Sequence, residues 1–192
     1  MRETIETDRR SYRRRARKRS RGREALSWVI CIVGAVAVAL LLRTFVFELV
    51  TVDGESMEPT LHSYQNLFVE KVSRYSGNIE RGQIIIVNYP GEDGVFVKRV
   101  VGLPGDTLEV RDGSLYVNGE RREEPYILDQ EMDYEMEKTT VPADSYFVLG
   151  DNRNDSLDSH LIGSIPQDMV RGHALFIIWP LSDIGSIEST GS

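Results

Sequence analysis

A run of eighteen uncharged residues near the N-terminus limits what this chain can become. Residues 25–42 read ALSWVICIVGAVAVALLL, and the charged residues Glu24 and Arg43 enclose them. A helix of this length would extend about 27 Å, close to the hydrocarbon thickness of a bilayer, roughly 30 Å. Because the run has no polar stripe along any face, it is typical of a membrane span rather than of a helix in a soluble core.

The charges around this run predict its orientation. Residues 1–23 hold eleven of the chain's 23 basic residues and three of its 30 acidic residues, so this tail carries +8 and the other 169 residues carry −15. By the positive-inside rule, the basic end stays in the cytoplasm. We therefore predict a basic cytoplasmic tail (1–24), a single-pass anchor helix in the cell membrane (25–42) and an extracytoplasmic domain (43–192).

Two other interpretations of the N-terminal region stay open. A cleavable secretory signal would explain the basic start, the apolar run and the Ala-Val-Ala pattern at 37–39, but the apolar run continues through 40–42, so a retained anchor is favoured. The arginine-rich tail could bind nucleic acid. Beside a membrane span, however, its expected role is topology and attraction to anionic lipid. The predicted partner is the lipid bilayer, and no nucleic-acid partner is predicted.

The rest of the chain has the pattern of short strands and tight turns. Asp112-Gly113 separates the strand-like segments LEV and LYV, which is a strong hairpin signal, and Asn118-Gly119 indicates a second turn. Little of this region has a helical period, so the predicted fold class is mainly β, an antiparallel domain of short strands after the membrane helix. Four further apolar segments are predicted as strands: 83–89, 95–101, 146–149 and 174–179.

Residues 120–138 differ from the strands around them. Eight of these nineteen positions are acidic, and Pro125 interrupts them without a clear period. A role in binding substrate is open, but a solvated surface segment is the favoured interpretation. We therefore predict an exposed acidic excursion here.

The residue inventory narrows the chemistry. The single cysteine, Cys31, excludes an internal disulfide framework and a cysteine-rich zinc site, and the three histidines lack metal-ligand spacing. The Asp-rich stretch from Asp151 fails as a calcium loop because Arg153 occupies its third position and Ile162 the place of the bidentate glutamate. The sequence predicts no metal and no cofactor.

Lys98 is a candidate general base for a serine nucleophile. It interrupts the apolar run 95–101, and burial there would disfavour its ammonium form and lower its pKa. A free lysine is neutral at pH 7 in only about one molecule in 2,500. From the pattern alone, a lysine paired with an acidic neighbour or extended toward solvent stays open.

Four motifs, taken together, resemble those of bacterial type I signal peptidases. These are ESMEPTL at 55–61, RGQIIIV at 81–87, VKRVVGLPGD at 97–106 and GDNRNDSLDS at 150–159. The resemblance covers roughly residues 43–180 and is to the compact, single-anchor form of Gram-positive bacteria. It implies an antiparallel β catalytic domain and a Ser/Lys protease.

The resemblance implies a role for each matching residue. Ser56 would be the nucleophile, Lys98 its general base and Ser156 the residue that orients the lysine amine. The Ser56 backbone N–H would hold the oxyanion. The second donor, a serine hydroxyl in some members, falls at Gly54, which has none.

The resemblance also implies a substrate pocket and a supporting set. Shallow apolar pockets would favour Ala-x-Ala before the cut, and the substrate main chain would add as a strand. Arg99, Asp151 and Asp158 would support the site by ion pairing. The implied pocket residues are Val50, Val52, Met57, Leu61, Leu67, Ile86, Phe96 and Val97.

The sequence departs from the family pattern at two positions. His160 stands where an arginine normally partners the aspartate, so the support at Asp158 is expected to depend on pH through His160. Gln83 stands where an aspartate is common. Both lie outside the proposed nucleophile and base, so they bear on stability or pH range rather than on the reaction.

These observations lead to one hypothesis and two alternatives. The hypothesis is a membrane-anchored serine endopeptidase that removes signal peptides from exported preproteins and works as a monomer. The alternatives are a related Ser/Lys processing peptidase of narrow specificity and a membrane-tethered β domain that binds ligands without catalysis. Covalent labelling of Ser56 by an acylating inhibitor would separate the last from the others.

Overall fold

The chain forms two compact units, Met1–Thr44 and Phe45–Ser192. The structure, a computed structural model, describes residues 3–89, 91, 94–128 and 131–187, with the backbone alone for residues 3–22. Helix α1 (Glu3–Phe45) makes up almost all of the first unit. Within it, Arg23–Phe45 is long and apolar enough to cross a membrane. Its most apolar stretch of 18 residues has a mean hydropathy of 2.7, and none of that stretch is buried. The predicted span, 25–42, lies inside this stretch.

The second unit consists of two antiparallel sheets, as the fold class predicts. The larger sheet has the order β1-β2-β11-β3-β4-β9-β10, with β12 paired to β11, and the smaller has the order β7-β6-β5-β8. Their strands are β1 (Phe47–Thr51), β2 (Asn66–Glu70), β3 (Ile84–Val87), β4 (Phe96–Gly102), β5 (Thr107–Arg111), β6 (Ser114–Val117), β7 (Glu120–Arg121), β8 (Met136–Thr140), β9 (Ser145–Leu149), β10 (Ile165–Pro166), β11 (Val170–Trp179) and β12 (Gly185–Ser186).

Short helices connect some of these strands. They are α2 (Ser73–Ser76), α3 (Ser159–Ile162) and the 3₁₀ helices Gln167–Met169 and Leu181–Asp183. The four predicted apolar strands correspond to β3, β4, β9 and β11. Strand β11 begins four residues earlier than predicted, at Val170.

Both predicted tight turns are present. Asp112 and Gly113 have φ values of 50° and 68° and join β5 to β6, while Asn118 and Gly119, at 55° and 84°, join β6 to β7. Two successive residues with positive φ form the turn whose twist matches a hairpin, and Asn, Asp and Gly tolerate that conformation best. The local sequence therefore determines these hairpins.

Strand β4 lies at the centre of the larger sheet and supplies two cores. Val97 packs with Met57 and Ile86 in one cluster, whereas Val100 packs with Ile85 in another on the opposite face. Alternate strand residues point to opposite faces, so Lys98 and Arg99 are carried into the interior on different sides. Their side chains are almost completely buried, with 1% and 0% exposed.

The acidic segment 120–138 is not simply an exposed excursion. It begins with β7 and ends in β8, and Ile127 and Met132 are buried. The Glu124 carboxylate is 5% exposed and forms an ion pair with Arg153. Most described residues of the segment are exposed, so the prediction of a solvated segment fails only at these residues. Composition does not show that one of the acidic side chains has a buried arginine partner.

Candidate active site

Two hydroxyl groups meet the Lys98 amine in the interior of the second unit. Lys98 Nζ lies 2.7 Å from Ser56 Oγ and 3.0 Å from Ser156 Oγ. These residues come from β4, the loop between β1 and β2, and the loop after β9, so the fold brings together three segments that are distant in sequence. Ser156 is 9% exposed, whereas Ser56 is half-buried and open to solvent on one side.

Burial lowers the pKa of Lys98 from its ordinary value of 10.5 to about 8. Loss of hydration is the main cause because it disfavours the ammonium form, while the charges of Asp158, Asp151 and Asp155 act in the opposite direction. At a pKa of about 8, the fraction of neutral amine at pH 7 is far larger than for a free lysine. The amine can therefore accept a proton from a hydroxyl at working pH.

Backbone and side-chain hydrogen bonds hold the loop that carries Ser56. Val52 N–H donates to Gln65 C=O at 2.8 Å and Tyr64 N–H to Val52 C=O at 2.9 Å, which closes the loop at its base. Within it, the Ser63 hydroxyl accepts from Gly54 N–H at 3.0 Å and donates to Gly54 C=O at 2.9 Å. Gly54 has a φ of 100°, a conformation that glycine adopts readily.

The loop after β9 contacts the loop that carries Ser56. Asn152 N–H donates to Ser56 C=O at 3.1 Å, and the Asn152 side-chain amide donates to Glu55 C=O at 3.3 Å. Gly150 leaves no room for a side chain, because a Cβ there would collide with Ser156 Oγ and with Ser56 C=O. Close contact between these loops fixes Ser56 and Ser156 around the amine.

A buried ion pair supports this contact. The Arg99 guanidinium donates to both Asp151 carboxylate oxygens, with Nε–Oδ1 2.8 Å and Nη2–Oδ2 2.6 Å, and both side chains are shielded from solvent. Asp151 also accepts a hydrogen bond from the Thr60 hydroxyl, in the loop that carries Ser56. Such paired, parallel bonds set geometry as well as strength.

Comparisons with known proteins decide the family. Residues 25–179 match the family described as signal peptidase, peptidase S26. The chain belongs to this family. It is therefore a serine peptidase, and Ser56, Lys98 and Ser156 meet in its interior.

Three relatives of this S26 peptidase show how far the similarity extends. Signal peptidase I of Bacillus amyloliquefaciens is 38% identical over 177 residues, covering 87% of this chain and 95% of the relative. Signal peptidase I of Bacillus licheniformis is 41% identical over 167 residues, covering 82% and 90%. Signal peptidase I S of Bacillus subtilis (strain 168) is 37% identical over 176 residues, covering 86% and 95%.

A solved structure is also similar. The crystal structure of a signal peptidase I from Enterococcus faecalis V583 shares 34% sequence identity, with a TM-score of 0.44, and the match covers 50% of this chain and 96% of that one.

An open cavity of about 260 Å³ lies beside Ser56 in this S26 peptidase. Its walls include four of the eight predicted pocket residues, namely Val52, Met57, Phe96 and Val97. Sequence reasoning missed the other wall residues, Asp53, Gly94 and Val95, which flank the predicted ones in the chain. Three predicted pocket residues, Leu61, Leu67 and Ile86, are completely buried in the core below, and Val50 packs against that core.

The support at Asp158 has a different donor from the one the family pattern suggests. Asp158 is completely buried, and its carboxylate accepts from Gly150 N–H at 2.9 Å and from His160 Nδ1 at 2.7 Å. His160 thus contacts Asp158, for which the resemblance implies an arginine partner. The pH dependence expected from this exchange stays a prediction.

Gln83, the other departure, has a local structural role. Its side-chain oxygen accepts from Glu80 N–H at 3.1 Å in the turn before β3, and its backbone carbonyl accepts from Val100 N–H at 2.9 Å. These bonds involve the turn and the sheet and do not reach Ser56 or Lys98.

Proposed function

We propose that this chain is a membrane-anchored signal peptidase that cleaves N-terminal signal peptides from exported preproteins through an acyl-enzyme on Ser56. The observation that carries the proposal is the 2.7 Å distance between the Ser56 hydroxyl and a buried lysine amine. Membership of the signal peptidase family and the length over which the Bacillus signal peptidases match support the substrate class.

The reaction follows from which groups touch. Neutral Lys98 takes the proton of Ser56 Oγ as that oxygen attacks the scissile carbonyl carbon. The resulting ammonium then gives its proton to the leaving amine nitrogen as the C–N bond breaks, leaving the signal peptide esterified to Ser56. Water attacks this ester with Lys98 again as base, and the proton returns to Ser56 Oγ. Ser156 holds the amine in line through its 3.0 Å contact.

The chain offers fewer side-chain donors to the oxyanion than the family members that have a serine at the position of Gly54. The Ser56 backbone N–H is the first donor, as the resemblance implies. The Gly54 N–H is engaged by Ser63, and Gly54 has no hydroxyl of its own. We therefore infer that the second donor is a backbone group or a water molecule.

The cavity beside Ser56 supports binding of substrate side chains there. The side chains of Val52, Met57 and Phe96 border it and offer apolar contacts to the methyl group of an alanine. We propose that it accepts the alanines of an Ala-x-Ala sequence, while the substrate backbone adds as an extended strand.

Anchoring and lipid contact form the second part of the proposal. The basic tail and the apolar helix would leave the N-terminus in the cytoplasm and the peptidase domain outside. Tethering would raise the enzyme concentration where preproteins emerge. Within the domain, Leu49 and Phe176 are exposed on one face of the sheet, each opposite Phe68, which supports contact with the bilayer. A site drawn wholly from one chain supports function as a monomer.

Cleavage of one defined preprotein tests the catalytic proposal. The full-length enzyme in detergent is mixed with a preprotein carrying an Ala-x-Ala site, and product is followed by mass spectrometry. Ser56→Ala and Lys98→Ala should reduce cleavage by at least 10³-fold, in line with losses on removing a member of a catalytic unit. The matched controls are Ser182→Ala and Lys138→Ala, both at exposed positions of the same domain.

Inhibitor labelling separates catalysis from binding. An acylating inhibitor should add its mass to the Ser56 peptide in the wild type and not in Ser56→Ala. Normal cleavage by both dyad variants would refute the mechanism. Absence of both cleavage and labelling in the folded wild type would instead favour a non-catalytic binding domain. Efficient cleavage of one substrate that is not a preprotein, without cleavage of the preprotein, would favour a processing peptidase of narrow specificity.

Cysteine labelling tests the topology. The chain has one cysteine, so Cys31→Ser provides a background for Tyr64→Cys, at a position 79% exposed, and for Ser11→Cys in the basic tail. A membrane-impermeant maleimide should label residue 64 in intact cells and residue 11 only after permeabilisation. The reverse pattern would contradict the proposed orientation, and loss of residue 11 from the mature protein would indicate a cleaved signal.

A further inference from the structure

The segment Glu124-Pro125-Tyr126 packs against the residues that support the active site. We call these three residues the EPY strap. Its two ionisable side chains each contact a different buried arginine, namely Arg153 and Arg99. The strap lies in the acidic segment, whose composition suggests only a solvated surface. The proposed catalytic mechanism does not involve it.

Glu124 holds the loop after β9 through Arg153. The Arg153 guanidinium donates to both carboxylate oxygens of Glu124, at 2.6 and 2.7 Å, and its Nε donates to Gly150 C=O at 3.0 Å. Arg153 is completely buried. Because a buried arginine needs a paired anion, Glu124 fixes its position and, through it, the carbonyl of Gly150.

Tyr126 packs over Arg99, which forms an ion pair with Asp151 of the same loop. The Arg99 guanidinium carbon lies 4.0 Å from the centre of the Tyr126 ring, within the range of a cation–π interaction. The Tyr126 hydroxyl donates to Glu124 at 2.8 Å, so the ring and the carboxylate form one unit. Next to the strap, Leu128 N–H donates to Asp151 C=O at 3.1 Å.

These contacts converge on the residues that place the nucleophile. Arg99 holds Asp151, Asp151 accepts from Thr60, and the adjacent Asn152 donates to Ser56 C=O. A displacement of Arg99 would therefore be transmitted to the Ser56 loop through two neighbouring residues. Small displacements at a catalytic pair reduce rates strongly, because the reacting atoms need a near-attack geometry.

We propose that the EPY strap is a positioning element of the active site, in which Tyr126 acts on Ser56 and Lys98 through Arg99 and Asp151. The proposal rests on the proposed Ser/Lys function. Tyr126 touches neither of these two side chains through any described contact, so it is a positioning residue rather than a catalytic one.

The chain contains a matched control for the interaction itself. On the smaller sheet, the Arg111 guanidinium carbon lies 3.9 Å from the centre of the Tyr116 ring. This pair has nearly the same distance from guanidinium carbon to ring centre as Arg99 and Tyr126, but Arg111 is exposed and also forms an ion pair with Glu109. Removing the Tyr116 ring therefore removes an arginine–aromatic contact without touching the active-site support.

The test compares Tyr126→Leu, Tyr126→Phe and Tyr116→Leu in the full-length enzyme, using preprotein cleavage at a temperature where all are folded. We expect Tyr126→Leu to lower kcat about tenfold with KM within twofold, since the reacting atoms are misplaced but the substrate cavity is intact. Tyr126→Phe keeps the ring over Arg99 and should recover most of kcat. Tyr116→Leu should match the wild type.

A pH profile distinguishes positioning from simple stabilisation. The anionic groups that raise the pKa of Lys98 are Asp158, Asp151 and Asp155. If Arg99 loosens from Asp151, more of that negative charge reaches the amine, and the acidic limb of kcat/KM should move to higher pH. A merely structural role would lower the melting temperature without moving this limb.

The outcomes are separable. The proposal would be overturned if folded Tyr126→Leu had the kcat of the wild type and the same acidic limb of kcat/KM. It would also be overturned if Tyr116→Leu lost as much kcat as Tyr126→Leu. If Tyr126→Leu does not fold, Tyr126→Met fills similar space without a ring and carries the same expectation and the same criteria. Active Ser56→Ala and Lys98→Ala enzymes would instead refute the Ser/Lys function, so the two failures give different results.

Discussion

The Lys98 amine and the Ser56 hydroxyl, 42 residues apart in the chain, lie 2.7 Å apart with the amine shielded from solvent. The distance allows direct proton transfer, and the shielding lowers the pKa of the amine to about 8. A lysine at the same distance on an exposed strand would stay charged at neutral pH and could not accept the proton. Proton transfer needs both the short distance and the burial of the amine, and the position of Lys98 in β4 provides both.

The first prediction concerns the pH dependence of cleavage. In the proposed mechanism Lys98 must be neutral to accept the proton, so kcat/KM should rise with pH and level off near pH 8, where the pKa of Lys98 lies. Below that pH, the rate should fall about tenfold per pH unit, because the neutral fraction falls by that factor. A pH–rate profile on one preprotein measures this. An acidic limb near pH 4 would contradict Lys98 as the base.

The second prediction concerns stability. The pKa of Lys98 falls from 10.5 to about 8 on folding, so between these values the unfolded chain binds more protons and stability rises with pH. Below pH 8 the buried amine therefore destabilises the fold, by up to about 3 kcal/mol. Lys98→Met should melt at higher temperature than the wild type at pH 7, and this difference should shrink between pH 8 and 10.5. Thermal unfolding at several pH values tests this, and a constant difference would contradict it.

The local patterns of the sequence predicted the parts of the fold that local chemistry determines. Asp112-Gly113 and Asn118-Gly119 demand positive φ values, and the turns form there. The apolar runs predicted β3, β4, β9 and β11, because runs of apolar and β-branched residues favour extended strands. In β11, however, Phe176, Ile178 and Trp179 are exposed.

The sequence could not distinguish the residues that line a cavity from those beneath it. Leu67 and Val97 are both apolar strand residues, and only the packing of the whole sheet makes Val97 a wall and Leu67 part of the core. It also could not show that Glu124 has Arg153 as a partner, since 29 residues separate them. Both facts depend on long-range contacts, which neither composition nor local period records.

The third prediction concerns Ser156. Its hydroxyl contacts the Lys98 amine at 3.0 Å, so Ser156→Ala should leave the amine without its second partner and lower kcat by about 10- to 100-fold. Ser159→Ala is the matched control, because Ser159 is a buried serine at the start of α3, directly after this loop, and its hydroxyl accepts from Val148 N–H. Loss of Ser159 should reduce the melting temperature and spare kcat. Equal kcat losses in the two variants would indicate a general effect on the loop.

The fourth prediction concerns the contact between the two loops at Gly150. A Cβ at this position would overlap Ser156 Oγ and Ser56 C=O, so Gly150→Ala must push the loops apart and should abolish cleavage in protein that still folds. Gly102→Ala is the comparison, since its Cβ would meet Leu108 and Phe147 rather than Ser56 or Ser156. That variant should lose stability through overpacking, by about 1–3 kcal/mol, while folded enzyme keeps its kcat. Full activity in Gly150→Ala would show that the loops can separate without cost.

The last prediction concerns His160 and the buried carboxylate of Asp158. Among the residues that the structure describes, His160 is the only one whose side chain donates a hydrogen bond to the Asp158 carboxylate, at 2.7 Å. His160→Ala should therefore leave this carboxylate with too few donors. We expect a loss of about 1–3 kcal/mol, the usual penalty for an unsatisfied buried polar group. His160→Arg should keep the melting temperature near the wild-type value, because a guanidinium offers several donors to a carboxylate. Leu161→Ala, at a side chain 65% exposed, is the control. Unchanged melting of His160→Ala would mean that the backbone donors of Gly150 and His160 suffice to hold Asp158.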